Sequence, residues 1–239
     1  MNPSRLHPRH FWSDESGLTG LLIFSLGYFI VLNSMGEFWF GRLVAHIFFS
    51  LIIVAGVLTT FKQRWLSFFV IVLAVASLAL NWAEEFRIVE GLAVLTTSLS
   101  LIYLGILLAL VIAQVFRDGP VTAHRIRGAI LIYLLLGVMW AFTYQVVALT
   151  IPQAFRLPEG LIAGEPDALR RELTYFSVVT LTTTGYGDIT AVHPVARTLV
   201  MLETLVGQLY PAIVLAWLVS LAIMHRKEKP RNFQDQKRR

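Results

Sequence analysis

The sequence predicts an all-α membrane protein with six crossing helices and a short re-entrant helix between the fifth and the sixth. Three observations carry this. The chain is 56% hydrophobic and only 15% charged over 239 residues, whereas water-soluble domains carry about 25% charged residues. Six apolar runs are long enough for a bilayer core of about 30 Å, which takes about 20 helical residues. The one long connection, between the fifth and sixth runs, holds an apolar stretch too short to cross.

The runs lie at Leu18–Met35, Arg42–Phe61, Trp65–Trp82, Leu92–Phe116, Ile126–Ile151 and Val195–Met224. Short loops join the first four, so these helices run antiparallel as one unit over residues 18–117. Residues 1–17 are polar, and no small-residue cleavage pattern follows the next apolar run, so a cleaved signal is not expected. Residues 126–224 form a second unit, and 225–239 a basic tail too brief for a regulatory domain; it is expected to anchor topology and to touch anionic lipid. Segments on the side of the two termini carry fourteen of the twenty Lys and Arg. That bias puts both termini in the cytoplasm of a multi-pass protein of the cell membrane.

Several functions are excluded or disfavoured. With no cysteine, disulfides and thiolate chemistry are impossible. The net charge of +5 is spread over loops, so it reads as topology and no nucleic-acid partner is expected. His7, His10, His46, His124, His193 and His225 are scattered without ligand spacing. No catalytic constellation stands out, so neither an enzyme nor a cofactor is expected. The fourth run contains no arginine, although a voltage sensor needs several charges on one helix, each contributing about 2.3 kcal/mol per 100 mV. The first four helices are therefore expected to pack around the second unit and contact lipid rather than sense voltage.

The long connection holds the chemistry. After Pro166 comes "DALRRELTYFSVVTLTT", and then "TLTTTGYGDIT" closes it at residues 180–190. Fourteen helical residues from Ala168 to Leu181 would span roughly 21 Å at about 1.5 Å each, too short to cross. Non-helical backbone at membrane depth is tolerated only when buried in protein or lining an aqueous path. Gly185 and Gly187 alternate with Tyr186, which lets the backbone adopt conformations other residues avoid. Alternation of that kind turns successive carbonyls the same way, and a row of carbonyl oxygens replaces the hydration shell of a monovalent cation. One chain supplies one wall of such a row, so several copies must meet around an axis. The C-terminal end of the preceding helix, with its partial negative charge, favours a cation there.

On these residues, "TTTGYGD" resembles the signature of the potassium-channel pore family. The likeness covers roughly Ile126 to Met224: outer helix, pore helix, filter and inner helix. The whole resembles a six-helix, prokaryotic-type member without a charged voltage-sensor helix. The resemblance implies a homotetramer in which Thr183, Thr184, Gly185 and Tyr186 coordinate K⁺ as the permeant ion, with Gly187 completing the strand. It implies that Asp188 is held behind the filter, and that Tyr175 and Phe176 pack around Tyr186. Thr184 departs from the family, which more often has Val there; its side chain is expected to face away from the ion. Glu203, a carboxylate inside the sixth helix, is expected to support the filter through hydroxyls of the pore helix. Gly207 and Pro211 are hinge candidates, and Val214, Leu215 and Leu218 are candidates for an apolar constriction. Two other readings stand beside a K⁺-selective channel: a weakly selective cation channel, with Thr184 loosening the filter, and a non-conducting modulatory subunit.

Overall fold

The computed structural model describes residues 9–35, 38–60, 64–86, 91–116, 123–158 and 166–228. The helices are α1 (Arg9–Met35), α2 (Trp39–Thr60), α3 (Arg64–Glu85), α4 (Ala93–Val115), α5 (Ala123–Thr150), α6 (Pro166–Leu181) and α7 (Pro194–Glu228). Two-residue strands β1 (Phe155–Arg156) and β2 (Thr190–Ala191) flank α6. All helices but α6 contain a span long and apolar enough to cross a membrane. The expected all-α membrane fold is observed.

Boundaries differ at the ends. α1 begins at Arg9, inside the stretch expected as a polar N-terminal segment, and α7 runs past Met224 to Glu228. Apolarity marks what sits in hydrocarbon, whereas helical hydrogen bonding continues into the interface beyond it. Residues 1–8 and 229–239, which hold most of the expected termini, lie outside the described residues.

Neighbours α1–α2, α2–α3 and α3–α4 pack in sequence, and α1 and α4 both lie against α5. One apolar core runs through the four-helix unit into α5 and reaches Leu181 at the end of α6. Phe49 of α2 stacks on Phe142 of α5 with ring centroids 5.2 Å apart. Phe68, Phe69, Val72 and Val75 form an exposed apolar stripe on α3, as a lipid-facing surface requires.

Helix packing in lipid relies on close contact and on interhelical hydrogen bonds rather than on hydrophobic burial. Such bonds join α3 to α2, α3 to α4 and α4 to α2. Trp82 Nε1 donates to Ser50 Oγ at 3.1 Å, Asn81 Nδ2 to Ser100 Oγ at 2.9 Å, and Tyr103 Oη to the Ile53 carbonyl at 2.6 Å. Arg127 Nη1 ties α5 to Thr19 Oγ1 of α1 at 2.8 Å. α4 carries no charged residue.

β1 and β2 pair antiparallel, Phe155 with Ala191 and Arg156 with Thr190. The Ala154 carbonyl accepts from Val192 N and His193 N at 2.9 and 3.2 Å. The two arms of the long connection are thereby clamped together beside α6.

Close packing makes a direct prediction. A Cβ at Gly56 would lie 2.3 Å from Tyr103 Oη, whereas one at Gly105 meets nothing within 4 Å. Gly56→Ala is expected to lose about 1–3 kcal/mol by overpacking, read as a lower thermal midpoint in detergent. Gly105→Ala should leave the midpoint unchanged or raise it.

Candidate functional site

α6 carries the site. Pro166 opens it, where its missing N–H would have no helical partner, and Asp167 lies in the first turn, at the positive end of the helix. α5 grips this start: Gln145 Nε2 donates to the Pro166 carbonyl at 3.1 Å, and Arg170 Nε donates to Gln145 Oε1 at 3.4 Å. The Arg170 guanidinium also lies 5.4 Å from the centre of the Phe142 ring. Leu169, Leu173 and Phe176 pack with Tyr144, Phe155 and Ile189 in a second apolar cluster.

The far end of α6 sets the loop's course. Thr182 N and Thr183 N donate to the Val178 and Thr180 carbonyls, while Thr184 N and Gly185 N both reach the Val179 carbonyl, at 2.9 and 3.3 Å. In a planar trans peptide the C=O points opposite to the N–H that follows it. The carbonyls of Thr183 and Thr184 are therefore turned away from α6.

Thr183, Gly185 and Gly187 have φ of +58°, +58° and +80°. The left-handed backbone thus recurs at every second residue, which is the alternation expected of the carbonyl row. It costs about 1–2 kcal/mol for a non-glycine residue, a penalty only Thr183 carries. The Thr184 hydroxyl is 2.9 Å from Thr182 Oγ1, which donates to the Val178 carbonyl at 2.7 Å. The Thr184 hydroxyl thus finds its partner just past the end of α6.

Asp188 Oδ1 accepts from Ile189 N at 3.1 Å. A hydrogen bond to Asp188, and then burial, pushes the Tyr175 phenol up to about 12. Phe176, by contrast, faces inward within its own chain, its ring 5.3 Å from Tyr144 and 5.7 Å from Phe155. Tyr186 is 71% exposed, so the expected aromatic packing around it is not made within one chain.

Glu203 joins three helices. It is fully buried. Tyr144 Oη of α5 donates to its Oε2, and Ser177 Oγ of α6 lies 2.6 Å from its Oε1. Ser177 Oγ also lies 2.8 Å from the Gly137 carbonyl of α5. One turn along α7, a Cβ at Gly207 would sit 2.0 Å from the Leu181 carbonyl oxygen. That oxygen already accepts from Tyr133 Oη at 3.0 Å. Gly207 is thus a close-approach site between α7 and the end of α6, a tighter constraint than a hinge alone would impose. Pro211 lies within α7. Val214 is buried within the chain while Leu215 is 65% exposed, so the constriction candidates divide and Val214 drops out.

A separate polar cluster lies at the start of α6. His46 Nε2 of α2 is 3.2 Å from Glu85 Oε2 of α3 and 3.6 Å from Asp167 Oδ1, and Arg170 Nη1 is 3.8 Å from that same Asp167 oxygen. Burial works against ionisation of Asp167, but the His46 hydrogen bond and the Arg170 charge hold its carboxyl below the usual carboxylate range.

Residues 170–223 match a protein-family model described as ion channel. Over this part the chain is similar to an ion channel domain. The match takes in most of α6, the 182–188 loop and α7 as far as Ile223. No curated protein and no solved structure matches the chain.

Sequence reasoning singled out Glu203 and the hydroxyls of α6, but not Tyr144, Ser177, Tyr133 or Gln145, nor the grouping of His46 with Glu85 and Asp167. These partners come from different helices, and no spacing along the chain announces them.

The Glu203 junction is testable. Glu203→Ala leaves Tyr144 Oη buried without this partner, at about 1–3 kcal/mol, while Ser177 Oγ keeps the Gly137 carbonyl, and should lower the thermal midpoint. Glu203→Gln keeps an acceptor and should lose much less. Equal losses in the two variants would contradict this, because they would show that an acceptor of the same size does not serve the junction.

Proposed function

We propose that four copies of this chain form a K⁺-selective channel whose filter is the Thr183–Gly187 backbone. K⁺ would shed its water below Thr183 and pass among oxygens of Thr183, Thr184, Gly185 and Tyr186. Carbonyl rings of this kind replace an ion's hydration shell. The observation that carries the reading is the alternating backbone of 183, 185 and 187, with the amides of 184 and 185 turned back to Val179.

Other features support assembly around an axis. Closed rotational symmetry is the usual solution for copies of one chain. Residues 182–188 are all exposed in a single chain, which is unsuited to unpaired backbone at membrane depth. α7 buries one stripe, Ala196, Glu203, Gly207 and Val214, within its own chain and exposes Met201, Leu205, Leu209 and Ile213. That exposed face suits neighbouring copies and the ion path.

Six crossings would put both termini on one side, the cytoplasmic one by the charge bias. Gly207 and Pro211 remain the candidates for bending α7, and no arginine ladder is present on α4 to drive it by voltage. A weakly selective cation channel is the second reading, favoured by Thr184 alone.

Passive K⁺ flux from proteoliposomes tests the proposal. Wild type should release K⁺ down its gradient. Gly185→Ala, forced to carry a side chain at φ +58°, should abolish the flux while remaining folded. Thr184→Val should keep it, because the Thr184 hydroxyl is turned toward α6. Absence of wild-type flux under all gradients would favour the non-conducting subunit.

A further inference from the structure

The cluster of His46, Glu85 and Asp167 lies apart from the filter, and the conduction reading gives it no task. Two carboxylate oxygens converge on a single imidazole nitrogen, at 3.2 and 3.6 Å. Nε2 carries at most one proton, so it can donate to only one of them at full strength. The three ligand atoms all lie within 4.8 Å of one another. Bonds of about 2.0–2.2 Å to a tetrahedral metal imply ligand separations of about 3.3–3.6 Å. Both distances to His46 fall at or beside that range, and the third side is no longer than 4.8 Å.

The surroundings point the same way. Tyr28, Arg42, His46, Asp167 and Arg170 line a small cavity with room for about one water. Tyr28, one of the lining residues, is 98% buried, and its hydroxyl makes no close hydrogen bond among the described residues. A water on the metal would occupy the open fourth position and give Tyr28 such a bond. One imidazole with two carboxylates suits zinc-like transition ions better than Mg²⁺ or Ca²⁺, which favour sets made of oxygen alone.

We propose that His46, Glu85 and Asp167 form a binding site for a zinc-like divalent ion that clips the four-helix unit to the start of the pore helix. Its ligands come from α2, α3 and α6, so an ion held there fixes three elements that otherwise meet only through side-chain contacts. The Arg170 guanidinium competes for the Asp167 oxygen and Arg42 lines the same cavity, and these two charges set the site below a closed structural zinc site in strength. The ion is thus a reversible modulator, exchanged from the side on which α6 begins. This inference does not depend on K⁺ selectivity.

Zinc titration of the tag-free full-length chain, stripped with a chelator and followed by calorimetry, tests it. Wild type should take up a saturable ion that raises its thermal midpoint. His46→Gln and Asp167→Asn should each weaken that uptake by about tenfold or more, since even supporting shells change metal affinity by 10–100-fold. Weaker sites on other histidines should survive in both variants. Glu85→Gln supplies a third variant should either of these fail to yield monodisperse protein. Zinc uptake unchanged in His46→Gln, or Mg²⁺ bound as tightly as Zn²⁺ in wild type, would overturn the proposal.

Discussion

Within a bilayer every backbone N–H and C=O that leaves a helix must find a partner in the protein or in water. Residues 182–188 leave α6 at the heart of the chain, and much of the fold can be understood as the means of holding them. The Val179 carbonyl takes two amides of the loop. The Thr182 and Thr184 hydroxyls close onto the last turn of α6. Glu203 pins that helix to both its neighbours, and the absent side chain of Gly207 lets α7 come up against its end. With the amides spent on α6, the Thr183 and Thr184 carbonyls are left on the open side.

The same economy explains the outer parts of the loop. β1 and β2 clamp its two arms, and the buried Phe155 and Ile189 carry that clamp into the cluster around Phe176. Gln145 and Arg170 secure the other end of α6. A short helix with a mostly polar first half is thus fixed along its whole length by polar contacts to α5 and apolar contacts to its own flanks. The four-helix unit adds to this through Phe49 on Phe142 and through the His46 cluster. α4 of this unit carries no arginine, which fits the proposed bracing role.

Much of this was legible in the sequence because hydrocarbon is an unforgiving solvent. Apolar length alone located the six spans, and the shortness of the run before Leu181 identified α6. The glycine spacing of "GYG" anticipated the positive φ values at 185 and 187, although not the one at Thr183. A carboxylate among apolar neighbours marked Glu203 as partnered, yet its partners Tyr144 and Ser177 are ordinary residues on other helices. Phe176 was read as facing Tyr186, but the nearby Tyr144 and Phe155 rings, brought in by the β1 turn, take it within the chain. His46 was passed over because its companions are set by how α2, α3 and α6 pack, a tertiary fact without a local period. Val214 was likewise misread, since the face α7 turns inward is decided by Glu203 and Gly207.

The central claim is that this loop passes K⁺ and refuses Na⁺ through its own carbonyls. The reversal potential of purified protein in planar bilayers, with K⁺ on one side and Na⁺ on the other, addresses it most directly. The account predicts a reversal close to the K⁺ equilibrium potential. A reversal midway between the K⁺ and Na⁺ equilibrium potentials would contradict it, and would mean that the carbonyl row of residues 183–187 does not discriminate between the two ions.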